Sequence, residues 1–221
     1  MKAGIHNTFG GVLRAVIFVV TVPLVIRIVG AEEYGLWALV SAIVGLISLV
    51  EGGLSFSTTV FASRDLERND ETGLGQTLTI VLTCMLILAT AAAGIVLLGA
   101  DMISDHFPKL TESQRVTAAS ALKYSSLVIW TRLLQQIPMG IQQALHRYGL
   151  MNILSTVQQA LSNLGLLWVA GMGGKTVAFM QWQAAIGVLA LLAHGVTGYV
   201  LLRSMRLRPG WDRARSRAIG R

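Results

Sequence analysis

Six long, mainly apolar runs decide what this chain can fold into. Each run is about as long as the 20-residue helix that crosses the hydrocarbon core of a bilayer. The first run is not a cleavable signal peptide, because it is long, lacks a small-residue cleavage site and leads directly into the second run. The pattern predicts an all-α integral membrane protein, a six-helix transmembrane bundle with spans at roughly residues 10–29, 35–58, 77–100, 117–138, 150–170 and 177–202.

The composition agrees with a lipid environment. Of the 221 residues, 53% are hydrophobic and 13% are charged, whereas a soluble domain carries about 25% charged residues. The chain therefore has too little polar surface to cover itself in water. Its one cysteine, Cys84, lies inside the third run and rules out an internal disulfide.

Basic residues are concentrated at one end of the predicted spans. That end holds Lys2, Arg64, Arg68, Arg147 and the tail residues Arg203, Arg206, Arg208, Arg213, Arg215, Arg217 and Arg221. The other end is mixed, with Glu32, Glu33, Asp101, Asp105, Glu112, Lys109, Arg115 and Lys175. Cytoplasmic loops carry an excess of Lys and Arg. We therefore expect both termini in the cytoplasm and the loops near 30–34, 101–116 and 171–175 outside.

The chain divides into a six-span lobe, residues 1–202, and a basic tail, residues 203–221. Basic tails can bind nucleic acid, but this one contains no recognisable nucleic-acid module and directly follows a membrane span. We interpret it as a cytoplasmic anchor that touches anionic lipid, or as the start of a truncated linker between lobes. No nucleic-acid partner is predicted.

Glu51 is an unexpected residue in the second span, because a carboxylate is costly inside a membrane. At about 100° per residue it lies at the edge of a narrow stripe of small and hydroxyl residues, namely Ser41, Gly45, Ser48, Gly52, Ser55 and Thr59. Close packing between helices explains such a stripe. It does not explain the carboxylate, so a structural and a functional interpretation both stay open.

The fifth span carries the most informative polar face. Its members are Asn152, Ser155, Thr156, Gln159 and Asn163, in a segment otherwise rich in Leu, Val, Ile and Ala. Unpaired amides and hydroxyls are costly in hydrocarbon. One or two would be explained by hydrogen bonds between helices, whereas five favour a wall that lines water or a polar ligand. On the sixth span, Gln183, Gly187, Ala190, His194 and Thr197 share one side, and we interpret His194 as a hydrogen-bonded structural residue.

Two cations on the fourth span point in different directions. Lys123 and Arg132 are nine residues apart, so they cannot both line one wall of a narrow cavity. Lys123 is close enough to the outer end to reach the interface. Arg132 shares its face with Ser125 and Gln136 and is therefore the candidate for a cavity.

The sequence contains no enzyme signature. It has no HExxH, no GxSxG, no phosphate-binding loop and no cluster of His or Cys at metal-ligand spacing. Glycines 171, 173 and 174 indicate a tight turn and not a nucleotide site. We therefore predict no catalytic residue, no metal and no cofactor.

The chain resembles the start of bacterial polysaccharide biosynthesis proteins, the Wzx-type O-antigen flippases of the multidrug/oligosaccharidyl-lipid/polysaccharide exporter superfamily. The resemblance is carried by "VPLVIRIVGAEEYGLWALVSAIVGLISLVEGGLS", by the basic segment "ASRDLER" and by "GIQQALHRYGLMNIL" at the start of the fifth span. It implies a transporter that moves lipid-linked oligosaccharide, usually on undecaprenyl diphosphate, between leaflets by alternating access. Such proteins supply precursors of lipopolysaccharide at the bacterial inner membrane.

The resemblance also implies an arrangement of two lobes with the substrate between them. This chain matches one lobe, so we expect a second lobe or a second copy to complete it, and we expect the isolated chain not to support flipping. Other interpretations are a multidrug exporter lobe, a membrane glycosyltransferase or ligase using the same lipid carrier, and a remnant that does not transport. A catalytic group for such an enzyme would have to come from the loop with Asp101, Asp105 and His106.

Three intramembrane charges suggest where the substrate binds. At about 1.5 Å per residue, Arg14, Glu51 and Arg132 lie roughly 22–24 Å from the outer ends of their spans, in a core about 30 Å thick. A structural interpretation pairs Glu51 with an arginine. In the functional interpretation, Glu51 orients both arginines to receive the diphosphate of the carrier. The predicted substrate-binding residues are Arg14, Glu51, Arg132, Asn152, Thr156, Gln159 and Asn163.

Overall fold

The computed structural model describes residues 19–48, 51–107, 109–205, 207 and 209–212, with the side chains of 47–48 and 51–57 excepted. These residues form helices and turns and contain no strand, which confirms the all-α prediction. The helices are α1 (Val19–Val29), α2 (Ala31–Ser48), α3 (Glu51–Glu67), α4 (Glu71–Asp105), α5 (Glu112–Ala144), α6 (Tyr148–Gly171) and α7 (Thr176–Leu202).

Each predicted span overlaps a helix, but the second span overlaps two. We expected one helix over 35–58, and α2, which ends at Ser48, and α3, which begins at Glu51, cover the described part of this range. Residues 49 and 50 between them lie outside the described part of the chain. Helix α4 also extends well beyond the predicted 77–100, because its polar first turns continue the helix outside the apolar run.

Within the described residues, two helices are long and apolar enough to cross a membrane, α4 and α7. Helices α5 and α6 are also long. They fall short in apolar character because their sequences contain many glutamine, serine and asparagine side chains. Membrane helices place polar groups of this kind on faces that avoid lipid, so the interior of the bundle is where these side chains should be found.

Short turns join successive helices, and four of them contain a residue with positive φ. These are Gly30 at 91°, Asn69 at 52°, His146 at 55° and Gly173 at 81°. Glycine adopts this conformation without steric cost, and asparagine and histidine tolerate it better than most residues. The turn that we predicted from glycines 171, 173 and 174 is confirmed.

Helices α5 and α7 run parallel and are held together by glutamine side chains. Gln135 Nε2 donates to the carbonyl of Gly187 at 3.2 Å, and Gln142 Nε2 donates to the carbonyl of His194 at 3.4 Å. Both pairs are 52 residues apart in sequence, as parallel helices require. His194 is fully buried and its Nδ1 lies 3.1 Å from Gln142 Oε1. This confirms its interpretation as a hydrogen-bonded structural residue.

The loops near 30–34, 101–116 and 171–175 meet at one end of the bundle. Thr176 Oγ1 donates to Glu33 Oε2 at 2.9 Å, and Lys175 Nζ lies 3.6 Å from Glu33 Oε1. The side chain of Gln114 donates to Glu32. These contacts place the start of α2, α5 and α7 together, as the six-span pattern requires.

At the opposite end of the bundle, the start of the tail packs against the helices. Met205 and Leu207 pack against a small cluster formed by Ala62, Leu74 and Ala144. The buried Asp65 accepts a hydrogen bond from Thr77 Oγ1 at 2.6 Å, which ties α3 to α4. Met205 and Leu207, at the start of the tail, therefore pack on the protein. Most of the tail arginines that we expected to contact lipid lie outside the described residues.

Helix α4 covers the outside of the bundle. One face packs on α5 through Ile80, Met85 and Ala89, which are fully buried. The opposite face exposes Ile87 and Leu98. An exposed apolar face of this kind suits contact with lipid.

Candidate functional site

A polar cavity of about 530 Å³ lies between α2, α5, α6 and α7. All four helices contribute polar groups to its wall. The lining residues are Trp37, Ser41, Val44, Val128, Thr131, Arg132, Gln135, Gln136, Met139, Ser155, Gln158, Gln159, Ser162, Asn163, Gln183 and Gly187.

Helix periodicity explains how α5 supplies its part of the wall. Arg132, Gln135, Gln136 and Met139 lie three or four residues apart, so they project from one face. The predicted orientation of Arg132 toward a cavity agrees with this arrangement. Lys123 faces elsewhere and forms an ion pair with Asp101 on α4, with Nζ 3.0 Å from Oδ1.

Arg132 is the one cation among the described lining residues, and no Asp or Glu accompanies it there. Its side chain is exposed to the cavity. No ion pair of Arg132 is formed with any described residue. An arginine in this state presents up to five N–H donors to a ligand.

Glutamine side chains brace the wall behind Arg132. Gln158 Nε2 on α6 lies 3.4 Å from Gln135 Oε1 on α5, and Gln135 in turn donates to the carbonyl of Gly187 on α7. The three helices are therefore linked through one amide. This link fixes the orientation of Gln135, which is 4% exposed.

Three buried donor atoms in the wall have no hydrogen-bond partner among the described residues. They are Trp37 Nε1, Ser41 Oγ and Asn163 Nδ2. A buried donor without an acceptor costs about 1–3 kcal/mol. Such atoms are rare in folded proteins, and each one calls for an explanation, such as a bound ligand or water.

The structure brings some of the predicted site residues together. Arg132, Gln159 and Asn163 line the cavity, as do Ser155, Gln136 and Gln183 from the predicted polar faces. Asn152 and Thr156 do not line it. Asn152 lies one turn beyond Ser155, past the inner end of the wall, and Thr156 is turned away by 100° from Ser155. Arg14 and the side chain of Glu51 lie outside the described residues.

Several lining residues were not singled out from the sequence. Trp37, Gln135, Gln158 and Ser162 were missed. The sequence did contain a signal for Gln135 and Gln158, because an amide side chain in an apolar helix is costly to leave unpaired. Trp37 gave no such signal, because tryptophan is also common in the ordinary cores and interfaces of membrane proteins.

The described part of the chain contains no cluster of side chains that could bind a metal ion. Nowhere in it do three His, Cys, Asp or Glu side chains come close enough to hold a metal ion together. The chemistry that the cavity offers is therefore hydrogen bonding by amides and hydroxyls, together with one guanidinium.

No curated protein and no solved structure shows significant similarity to the chain. The family model described as polysaccharide biosynthesis protein matches residues 1–211. That match includes every helix and every residue that lines the cavity. The chain belongs to the polysaccharide biosynthesis protein family.

Proposed function

We propose that the chain forms one lobe of a flippase that moves lipid-linked oligosaccharide across the bacterial cytoplasmic membrane by alternating access. In this proposal residues 1–202 cross the membrane six times and both termini are cytoplasmic. The observation that carries the proposal is the polar cavity of about 530 Å³ inside an apolar helical bundle. Its volume is within the range of about 300–1,000 Å³ that is usual for ligand sites.

The wall chemistry suits a sugar bearing a phosphate. Amides and hydroxyls can donate to and accept from sugar hydroxyl groups. The guanidinium of Arg132 matches phosphate oxygens in its fork geometry. Trp37 is the one aromatic residue among the described lining residues, so the wall is unlike the apolar, aromatic wall that we would expect in a multidrug exporter.

Arg14 and Glu51 complete the proposed diphosphate site. Helix α3 begins at Glu51. Two contacts show which residues of α2 and α3 lie beside which residues of α5: Glu32 contacts Gln114, and Thr58 packs on Gly140. In both pairs the two residues are 82 positions apart in sequence. If the same separation holds between them, Glu51 lies beside Leu133, next to Arg132, which supports a similar height along the bundle for Glu51 and Arg132. In this site Glu51 orients the arginines and prevents them from holding the diphosphate too tightly to release it.

An enzyme that uses the same lipid carrier receives less support. Its catalytic group would have to come from the last turns of α4 and the turn that follows. Asp101 is already paired with Lys123, and His106 Nδ1 lies 2.7 Å from the carbonyl of Met102. Both contacts are exposed, and none of these residues lines the polar cavity.

The proposed partners are the lipid-linked oligosaccharide, of the undecaprenyl diphosphate type, the surrounding membrane lipids, and a second lobe or a second copy of the chain. Alternating access needs a second body against which this one can close. The cavity is built from four helices of a single chain, so it would form one half of the substrate path.

Helix α5 offers a matched pair of cations for testing the proposal. In a strain that depends on this protein for surface polysaccharide, we expect Arg132→Gln to lower the polysaccharide at least about tenfold, since a charge-assisted hydrogen bond is lost. Arg132→Lys should restore part of it. Lys123→Gln should leave it near the wild-type amount, because Lys123 faces Asp101 and not the cavity.

The amount of each variant in the membrane is measured by immunoblot, so that loss of protein is separated from loss of transport. Normal surface polysaccharide with Arg132→Gln would contradict the proposal. An equal loss of surface polysaccharide with Lys123→Gln would show that removing either positive charge from α5 has the same effect. That result would also contradict the role of Arg132 in substrate binding.

A further inference from the structure

We propose that Trp37, Ser41 and Asn163 form a subsite that recognises the acetamido group of an N-acetylated sugar. We call these three residues the donor subsite. The inference rests on the proposed function, and it deepens that function by assigning a sugar chemistry to one part of the cavity wall.

The burial of these residues is the first argument. Trp37 is 8% exposed and Asn163 is 7% exposed. Their donors, Trp37 Nε1 and Asn163 Nδ2, have no acceptor within the described residues, and neither does Ser41 Oγ. These atoms are buried in the wall and do not stand free in the cavity space. A ligand would therefore reach them by pressing against the wall, with a small adjustment of the side chains.

The three residues belong to one level of the bundle. Trp37 packs on Phe179 of α7 at 6.2 Å between ring centroids, and Ser41 follows one turn later on the same face of α2. On α6, the two residues that flank Asn163 at a distance of two positions both contact Trp182 of α7. Trp182 Nε1 donates to the carbonyl of Leu161, and Gly165 packs on the indole ring. Phe179 and Trp182 are less than one turn apart on α7, so the donors of α2 and α6 lie at similar heights along the wall of the same cavity.

Arg132 lies further along the bundle, near the level of Gly187. Thr131, its neighbour, packs directly on Gly187. Trp182 and Gly187 are five residues apart on α7, which corresponds to roughly 7 Å along the helix. The donor subsite is therefore about one and a half turns away from the guanidinium, toward the end of the bundle that holds the loop at 171–175. A ligand with phosphate at Arg132 would place a sugar beside the donor subsite.

The type of donor selects the ligand group. An indole N–H and an amide NH₂ can donate but not accept, and a hydroxyl can do either. Their partner is an oxygen that accepts without needing to donate. The carbonyl oxygen of an acetamido group meets this condition, whereas the oxygen of a sugar hydroxyl carries a proton of its own.

A carboxylate would meet the same condition but at a higher cost. Burying a charge is more expensive than burying a neutral amide unless a counterion is present. Arg132 is the one cation among the described lining residues, and it lies at a different level of the wall. It is therefore not placed to neutralise a carboxylate at the donor subsite. The methyl of an acetamido group would also have apolar neighbours in Val44 and Val128, which line the same cavity.

The test uses the purified chain in lipid nanodiscs and three disaccharides as probes. N,N′-Diacetylchitobiose carries acetamido groups, cellobiose carries hydroxyls at the same positions, and cellobiouronic acid adds a carboxylate. Dissociation constants are measured by saturation-transfer NMR titration. We expect diacetylchitobiose to bind at least about fivefold more tightly than cellobiose, since neutral hydrogen bonds each contribute a factor of this order.

Variants of the donor subsite should remove this preference without weakening cellobiose. Trp37→Phe is the central variant, because phenylalanine keeps an aromatic ring beside Tyr34 and Phe179 and removes the N–H donor. Asn163→Leu is the second. Trp168→Phe is the matched control, since Trp168 contacts Trp182 and is 59% exposed, outside the cavity.

Equal binding of the two neutral disaccharides would overturn the inference and leave the proposed function standing. Tightest binding of cellobiouronic acid that is lost in Trp37→Phe would assign the donors to a carboxylate, and it would overturn the acetamido assignment. Absence of binding by all three probes would also overturn it. The proposed function is judged separately, by surface polysaccharide in the Arg132 variants.

Discussion

At the scale of single residues, close contact between α5 and α7 depends on Gly187. A Cβ atom added there would lie 2.6 Å from Thr131 Oγ1. Thr131 cannot turn away freely, because its hydroxyl donates to the carbonyls of Leu127 and Val128 on its own helix. Thr131 and Gly187 both line the cavity, so this contact is part of its wall beside Arg132.

We expect Gly187→Ala to destabilise the protein by about 1–3 kcal/mol, the usual range for overpacking. The measurement is the thermal unfolding midpoint in detergent. Adding Thr131→Ala should recover most of the loss, because the clashing oxygen is removed. Gly94→Ala is the matched control, since a Cβ there meets nothing within 4 Å. An unchanged midpoint in Gly187→Ala would contradict the close contact.

The orientation of a side chain could be predicted from the sequence where it depends on the periodicity of a single helix. The cavity orientation of Arg132 and the opposite orientation of Lys123 follow from helical periodicity alone. Asn152 shows where this reasoning stops. Its position relative to the cavity depends on how far α6 is shifted along α5 and α7, and a periodic pattern in one helix contains no information about such a shift.

At the scale of helices, hydropathy located the elements but not their ends. The predicted span 77–100 became α4, Glu71–Asp105. Its first turn is set by the Asp70 carboxylate, which accepts from the backbone N–H of Gly73 at 2.8 Å. Capping residues of this kind are polar, so an apolar pattern does not detect them.

The contacts between helix ends lead to a test of topology. The loops near 30–34, 101–116 and 171–175 share one end, and Arg68 belongs to the turn at the other end. In a Cys84→Ala background, we expect Ser113→Cys to react with a membrane-impermeant thiol reagent added outside the cell, and Arg68→Cys to react only after the cells are opened. Outside labelling of Arg68→Cys would contradict the proposed topology.

At the scale of the whole molecule, the structure separates an apolar exterior from a polar interior. Helices α4 and α7 are long and apolar enough to cross a membrane, whereas α5 and α6 supply most of the polar groups that line the cavity. The sequence predicted both kinds of helix. It could not predict that α2, α5, α6 and α7 would enclose a single cavity, because this depends on contacts between residues as distant as Glu33 and Thr176.

The central claim is that lipid-linked oligosaccharide passes through this cavity, and photo-crosslinking tests it most directly. Benzoylphenylalanine is placed at Met139, an apolar lining residue, or at Ile87, which is 65% exposed on the outer face of α4. Cells are supplied with radiolabelled sugar, so that only the glycan part of the substrate is detected. We predict a labelled crosslink from position 139 and none from position 87. Absence of a crosslink from 139, or equal labelling at both positions, would contradict the claim.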